Sequence, residues 1–563
     1  MKEKIAKELY KLTNIKEIDL INLIETPPSQ DLGDYSFPCF SLAKQLKKNP
    51  NNIASEFAAK IALKEFEKVE AKGPYLNFFI NKKLLAEKTL NDIIKQGEKF
   101  GSRKIKEKVL IESPSPNTNK PLHIGHARNI ILAQSVKEIL KFFGNTVLIV
   151  NLNNDRGVHI CKSLIAYRRY GNNQTPEKLN KKSDHLVGDF YVKFAQESKV
   201  NPKLEKEAQE CLVKWEKGDK KTIALWKKMN SWALNGFKET YKKFDLKIDK
   251  NYFESKIYKK GKEIVLEEFK KGKVNKKADG AYFVDLSKEG LGEKILLRAD
   301  GTAIYITQDI YLALLRKKEF NFDKMIYVVA SEQNYHFQVL FALLKLFGCN
   351  WISKLYHLNY GLVNLESGRM KSREGTVVDS DDIIQELESL ASEEIEKRCS
   401  NLPNKEKQLR AERIALAALR YYFLKVDKNK EIVFKPKESI SFEGNTGPYL
   451  LYTYARAKSI LRKAKYQKSK KVIKISNLNN SEKSLITQLS NFPEIAKDAY
   501  LSLSPNLIAN YSFQLSQAFN EFYHSNPVLG SENESFLLVL IDSFSQVLKN
   551  SLKLLSIETL EEM

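Results

Sequence analysis

The sequence predicts an α/β fold: a parallel sheet with flanking helices, a small N-terminal α+β domain before it and an all-α domain after it. Three observations carry this. From Val109 onward, short runs of branched apolar residues alternate with helical patterns, the alternation that builds parallel sheets. Before that point, helical patterns surround one loop and one strand. Beyond about residue 380 the pattern is nearly all helical. At 563 residues the chain is too long for one core, and about three to four domains follow from typical domain size. Its 42% hydrophobic and 10% aromatic residues supply large cores.

In chain order, residues 1–105 form the first domain. Helical patterns flank the loop Thr26–Asp34, and Gly73–Asn81 reads as a strand. The charged stretch Gly101–Lys108 serves as a linker. The region 106–380 carries the strands Val109–Ile111, Thr146–Val150, Ala281–Leu286 and Met325–Val329. A lysine-dense stretch of about 171–275 interrupts it and reads as an insertion. Its Trp215, Trp226 and Trp232 sit in amphipathic helical patterns and read as core. Residues 381–440 are a helical connector and 441–563 a helical domain. In that domain Gly444-Asn445-Thr446-Gly447-Pro448 precedes a helix from Tyr449 to Lys465, and 466–482 is a polar surface loop. The Tyr449–Lys465 helix interleaves aromatic and basic residues. On the residues alone it fits RNA stacking and an ordinary bundle helix with a solvated basic face equally well. No internal repeat is present.

The motif with most chemistry is Lys120-Pro121-Leu122-His123-Ile124-Gly125-His126. The buried strand Val109–Ile111 precedes it, and a helix running to Phe143 with Gly144 as its stop follows it. A helix N-terminus offers backbone N–H groups and a positive dipole end to anions. Glycine permits a close approach, and imidazoles there donate to phosphate oxygens. An HxxH pair is also compatible with a metal site that His159 would complete. No cysteine or carboxylate cluster stands at ligand spacing nearby, so no protein metal centre is expected. Downstream, Gly368-Arg369-Met370-Lys371-Ser372-Arg373-Glu374-Gly375 is a glycine-bounded basic loop suited to closing over a triphosphate.

A net charge of +24 points to a polyanionic partner such as nucleic acid, though a lysine-rich composition gives the same excess. Five scattered cysteines (Cys39, Cys161, Cys211, Cys349, Cys399) without a CxxC fit a reducing compartment, and a cytoplasmic location is expected. The N-terminus is charged throughout and lacks the apolar centre of a signal peptide. No apolar run reaches the ~20 residues that span a bilayer, so no membrane partner is expected.

The two basic and histidine motifs, at this separation, resemble the HIGH and KMSKS signatures of class I aminoacyl-tRNA synthetases. The surrounding segments resemble the arginyl-tRNA synthetase family. These are Glu112–Leu122 (ESPSPNTNKPL), Asn151–Gly157 (NLNNDRG), Ala299–Asp309 (ADGTAIYITQD), Gly444–Arg456 (GNTGPYLLYTYAR), and the N-terminal PPSQDLGDYSFP and GPYLNFFIN. Ser372 stands where the KMSKS pattern has its second lysine, a loss common in this family, in which a lysine ahead of HIGH (here Lys120) is thought to supply the charge.

The resemblance implies a Rossmann-like catalytic domain at 106–380, a tRNA-binding domain at 1–105 and an anticodon-binding domain at 441–563. It implies activation of L-arginine by ATP with Mg²⁺, then transfer to the 2′-hydroxyl of the terminal adenosine of tRNA(Arg), by a monomer. His123, Gly125, His126, Lys120 and Lys371 would form the catalytic set, with Gly125 leaving room for adenine. Arg369, Lys371, Arg373 and His336 would join the histidines on ATP. Tyr305 and Asp309 would hold the guanidinium, which carboxylates recognise through paired hydrogen bonds. Glu112, Asn117 and Gln333 would hold the substrate's polar groups, the α-amino group above all. Tyr454, Arg456 and Asn77 would touch tRNA. Three rivals are a cysteine-specific synthetase, which would bring zinc-type thiol ligands, a small nucleotidyltransferase, which needs no flanking domains, and a non-catalytic RNA-binding relative, which should have lost the motifs.

Overall fold

A computed structural model describes residues 1–365, 378–398, 402–467, 475 and 477–563. By its internal contacts the chain divides into two compact units. One comprises Met1–Phe100, Leu461–Asn491 and Gln517–Val547. The other comprises Gly101–Ile460, Phe492–Ser516 and Leu548–Met563.

In the first unit, helices α1 (Lys2–Thr13) and α2 (Glu17–Leu23) precede strand β1 (Tyr35–Pro38). Helices α3 (Phe40–Leu46) and α4 (Pro50–Lys60), strands β2 (Phe66–Lys72) and β3 (Tyr75–Ile80) and helix α5 (Lys82–Gln96) follow. The strands make an antiparallel sheet in the order β1-β3-β2. Gly73, at φ +59°, makes the β2–β3 turn, a conformation glycine adopts without a steric penalty.

The second unit holds β4 (Lys108–Glu112), α6 (Ile124–Phe142), β5 (Thr146–Asn153) and α7 (Val158–Tyr170). A helical stretch follows: α8 (Pro176–Leu179), α9 (Ser183–Val200), α10 (Lys203–Glu216) and α11 (Lys220–Lys243). Then come β6 (Lys250–Phe253), α12 (Glu254–Lys270), β7 (Asn275–Lys276), β8 (Tyr282–Leu286), β9 (Gly292–Leu297), α13 (Tyr305–Phe320), β10 (Lys324–Ala330), α14 (Asn334–Leu346), β11 (Leu355–Tyr360) and β12 (Val363–Leu365). The five main strands are parallel, in the order β11-β10-β4-β5-β6. Strand order reverses between β4 and β10, and a crevice opens at the carboxyl ends of strands beside such a switch point. β4 is the buried centre: Val109, Leu110 and Ile111 have no exposed surface. Helix α6 is buried on most of its circumference and ends at Gly144, at φ +88°.

Two sequence expectations change here. The strand at Ala281–Leu286 exists as β8, but it belongs to a separate antiparallel sheet, β7-β8-β9. The 171–275 insertion is not wholly an insertion, because β6 lies within it and forms an edge strand of the main sheet. Of its tryptophans, Trp232 is buried. Trp215 and Trp226 meet edge to face at 5.4 Å, and the Trp226 indole donates to the Asp155 carbonyl.

Beyond residue 380 come α15 (Ser380–Arg398), α16 (Asn404–Leu424), β13 (Ile432–Phe434), α17 (Pro436–Ser439), α18 (Gly447–Lys463), α19 (Asn480–Ser502), α20 (Asn506–Ser525) and α21 (Glu534–Leu554). The one strand among them, β13, pairs with β12. Residues 468–474 and 476 of the polar loop expected at 466–482 lie outside the described residues, and α19 begins at Asn480. Cys399 also lies outside them.

Candidate active site

The imidazole pair is built by a reciprocal cap. His123 is the N-cap of α6, and its Nδ1 accepts from the Gly125 amide at 3.1 Å. The Nδ1 of His126 accepts from the His123 amide at 3.1 Å. A ring whose Nδ1 accepts carries its proton on Nε2 when neutral. Burial, reinforced by Lys120, lowers His123 to about 3. Burial, the other imidazole and Lys120 hold His126 well below the usual value. Both rings are therefore neutral Nε2–H donors, with centroids 4.0 Å apart and planes tilted by 48°. The expectation that the turn offers free amides is corrected. The Ile124 amide donates to the Val378 carbonyl, and imidazoles take those of His123 and Gly125. The space left by Gly125 is filled by the His123 ring, 2.9 Å from where a Cβ would stand. The donors this turn leaves for an anion are the imidazole Nε2–H groups.

The strand that leads away from β11 is tied to the same helix. The Arg128 guanidinium of α6 donates to the carbonyls of Gly361, Leu362, Lys428 and Lys430. On the far side of residues 366–377, Ser380 donates its amide to the Leu122 carbonyl at 2.8 Å. The expected loop residues Arg369, Lys371 and Arg373 lie outside the described residues.

The second half of the site is acidic. Glu112 ends β4, opposite Tyr327 of β10. Its carboxylate accepts from the buried Arg316 of α13 and, at 3.0 Å, from Ser115 Oγ. Tyr305 is the first residue of α13 and Asp309 lies one turn on, so the two share a face. Tyr305 is 62% exposed. Asp309 bonds the His336 Nε2 at 2.8 Å, so His336, expected on ATP, also faces the acidic side. Burial opposes the charged imidazolium, but the hydrogen bond to Asp309 and the charges of Asp309 and Glu112 outweigh it and raise His336 above its usual value. Gln333 is exposed, in the short turn Ser331–Gln333 after β10. Asn117 pairs through its backbone with Asn154 in the β4–α6 connection. Lys120 lies close enough to bear on the charge of His123, His126 and His159.

Sequence reasoning missed a third acid. Glu254, the first residue of α12, is buried, and its Oε1 has no hydrogen-bond partner among the described residues. Arg156 stands 3.7 Å from it. Asp155 accepts from the Ser255 amide and hydroxyl at 2.8 and 2.7 Å and so fixes the start of α12. Burial raises Glu254 to about 7 even though Arg156 and Gln308 pull it down, and Asp155 and Asp309 add to the rise. Glu254 thus faces the Asp309 charge. Its one sequence signal is its place at the end of a polar strand, too weak to select it. Helices α12 and α13 approach closely, since a Cβ on Gly261 would stand 2.6 Å from the Thr307 carbonyl oxygen.

Two of the residues expected to contact RNA are buried. Tyr454 is 2% exposed, and its hydroxyl bonds Glu561. Asn77 is buried and accepts from Ser36. Neither side chain is presented to a partner in this conformation. Arg456 is half-buried, with its guanidinium 4.8 Å over the Tyr452 ring. Among the described residues, Asp184, His185 and Asp381 bring ligand atoms within 4.8 Å of one another. The Lys182 ammonium already bridges Asp184 and Asp381 at 3.1 and 2.7 Å, so this trio is an ion-pair cluster. No described helix is long and apolar enough to cross a membrane.

Three family models match in chain order: the arginyl tRNA synthetase N terminal domain at 1–80, the class I (R) tRNA synthetase catalytic domain at 89–435 and the DALR anticodon binding domain at 450–563. The arginine–tRNA ligase of Treponema denticola is 46% identical over 557 residues, covering 96% of this chain and 94% of its own. That of Borrelia hermsii is 42% identical over 574 residues, covering 100% and 98%. The arginyl-tRNA synthetase structure of Thermus thermophilus aligns with a TM-score of 0.84 at 28% identity, covering 100% of this chain and 99% of that one.

Proposed function

The chain belongs to the arginyl-tRNA synthetase family, and from that premise we propose how its residues divide the reaction. It is an arginine–tRNA ligase that uses ATP to join arginine to tRNA(Arg). The observation that carries the site reading is the acidic pair Glu112 and Asp309, with Glu112 at the strand-order switch and Glu254, at the end of β6, close enough to feel the Asp309 charge, and the neutral imidazole pair on the helix that follows β4.

Arginine lies with its guanidinium toward Asp309, Glu254 and Tyr305, where planar bidentate hydrogen bonding suits carboxylates. Its α-ammonium meets Glu112, with Asn117 and Gln333 at the rim. The substrate carboxylate then attacks the α-phosphorus of ATP. A carboxylate–phosphorus bond forms as the bond to the pyrophosphate oxygen breaks. No covalent enzyme intermediate is needed, so the protein's contribution is positioning and charge stabilisation. His123 and His126 donate their Nε2–H groups to phosphate oxygens, and Lys120 adds positive charge beside them. Arg369, Lys371 and Arg373 are assigned to the departing pyrophosphate on sequence grounds. The 2′-hydroxyl of the terminal adenosine then attacks the arginyl carbonyl and AMP leaves.

Mg²⁺ would neutralise phosphate charge. The described residues provide no vacant carboxylate set for it, so the nucleotide's own oxygens are its fitting ligands, and no step here depends on it. For tRNA contact, the half-buried Tyr452/Arg456 pair on α18 is a better candidate than the buried Tyr454. We read residues 1–105 as tRNA-binding, 106–380 as catalytic, 381–440 as connector and 441–563 as anticodon-binding, in a cytoplasmic monomer. ATP–pyrophosphate exchange with each standard amino acid, with and without tRNA(Arg), tests the reading. Exchange is expected with arginine and only when tRNA is added. Exchange driven by another amino acid contradicts it.

A further inference from the structure

Arg316 is an unusual residue to find behind a pocket for a cationic substrate. It is 1% exposed, its Nε and Nη2 lack hydrogen-bond partners among the described residues, and its guanidinium lies 5.0 Å from the Tyr252 ring centroid. A fixed positive charge there repels an incoming ammonium, so beyond neutralising the buried Glu112 what it contributes is geometry. Three observations define that geometry. Arg316 binds one carboxylate oxygen of Glu112 while Ser115 binds the other, which leaves the second lone pair of each oxygen for a ligand. Glu112 sits on the β4–β10 seam opposite Tyr327. Arg316 and Asp309 are both on α13, seven residues apart, which is two turns along one helix face, about 10 Å.

We propose that Arg316 is a positioning residue for substrate length. It ties Glu112, which receives the α-ammonium, to the helix whose Asp309 receives the guanidinium, and so fixes the separation of the two ends of the pocket. This rests on the arginine-pocket reading given above. A side chain one methylene longer is rejected because neither acid can move without the other. A shorter one leaves one acid unmet.

The test uses the full-length enzyme with ATP and tRNA(Arg). Arg316→Gln removes the tie. Arg316→Lys keeps the charge but loses the planar fork, and it serves if the glutamine variant does not fold. Both are expected to raise the KM for arginine at least tenfold, with the KM for ATP unchanged. Both should also narrow the kcat/KM ratio of arginine over homoarginine at least fivefold. A role confined to core stability would lower the melting temperature and active fraction and leave that ratio intact, which overturns the proposal. Asp309→Ala is run alongside. If it leaves the arginine KM unchanged, the pocket reading itself fails. If it raises that KM while the Arg316 variants keep wild-type discrimination, only the length-setting role fails.

Discussion

At the proposed arginine end of the site each acid comes with a resident cation or imidazole: Glu112 with Arg316, Asp309 with His336, Glu254 with Arg156. At the phosphate end the two imidazoles are neutral, and their partners are backbone amides. The difference follows from what each end must do. The guanidinium and ammonium of arginine are charged before, during and after the reaction, so the pocket needs acids that stay oriented without substrate. Charge on the phosphate oxygens shifts as the bond to pyrophosphate breaks. Neutral donors already held in place stabilise that change without having to reorganise.

The contrast breaks most sharply at Asp309. Breaking a desolvated charge pair costs ~3–5 kcal/mol, so Asp309→Ala should raise the arginine KM by two to three orders of magnitude with little change in the KM for ATP. Steady-state aminoacylation measures both, and an unchanged arginine KM overturns the pocket. At the other end, His126→Ala removes a donor that acts on the transition state. Adenylate formation should slow by ~10²–10³-fold, the scale of one lost oxyanion donor, while tRNA affinity in a filter-binding assay stays the same. Loss of both together would indicate a folding defect.

A smaller effect comes from pH. Glu254 is raised to about 7 by burial, and only its ionised form pairs with a guanidinium. Falling pH therefore protonates it and weakens binding. His336 acts in the same direction, because its cationic form competes for Asp309. The arginine KM should rise as pH drops through about 7, approaching tenfold per unit, and Glu254→Gln should flatten much of that profile. A pH-independent KM in the unmodified enzyme contradicts the assignment. The smallest effect is expected at Gly261→Ala, where the new methyl group meets the Thr307 carbonyl. Overpacking of ~1–3 kcal/mol should lower the melting temperature by a few degrees, and the shift of α13 should raise the arginine KM severalfold.

The frame of the proposed phosphate end was legible in the sequence because its parts are contiguous: a buried strand, HIGH and a helix followed by Gly144. The arginine end was half legible. Tyr305 and Asp309 fall within one motif, but Arg316 finds Glu112 across the sheet, and Glu254 belongs to a segment whose strand, Lys-Asn-Tyr-Phe, is a short polar edge with no strong periodicity. That same weakness made 171–275 read as a single insertion. The burial of Tyr454 was not legible for another reason: a bundle helix and an RNA-binding helix share the same spacing of aromatic and basic residues, and only packing decides which face is buried. Asn77 was named from a motif that carries its own core hydrogen bond.

The most direct test is a crystal structure of the enzyme with arginine and a non-hydrolysable ATP analogue. The account predicts the guanidinium within hydrogen-bond distance of Asp309 and Glu254, the α-ammonium on Glu112, and the α-phosphate within reach of the His123 and His126 Nε2 atoms. Arginine bound with its guanidinium on Glu112, or away from the β4–β10 crevice, would contradict it.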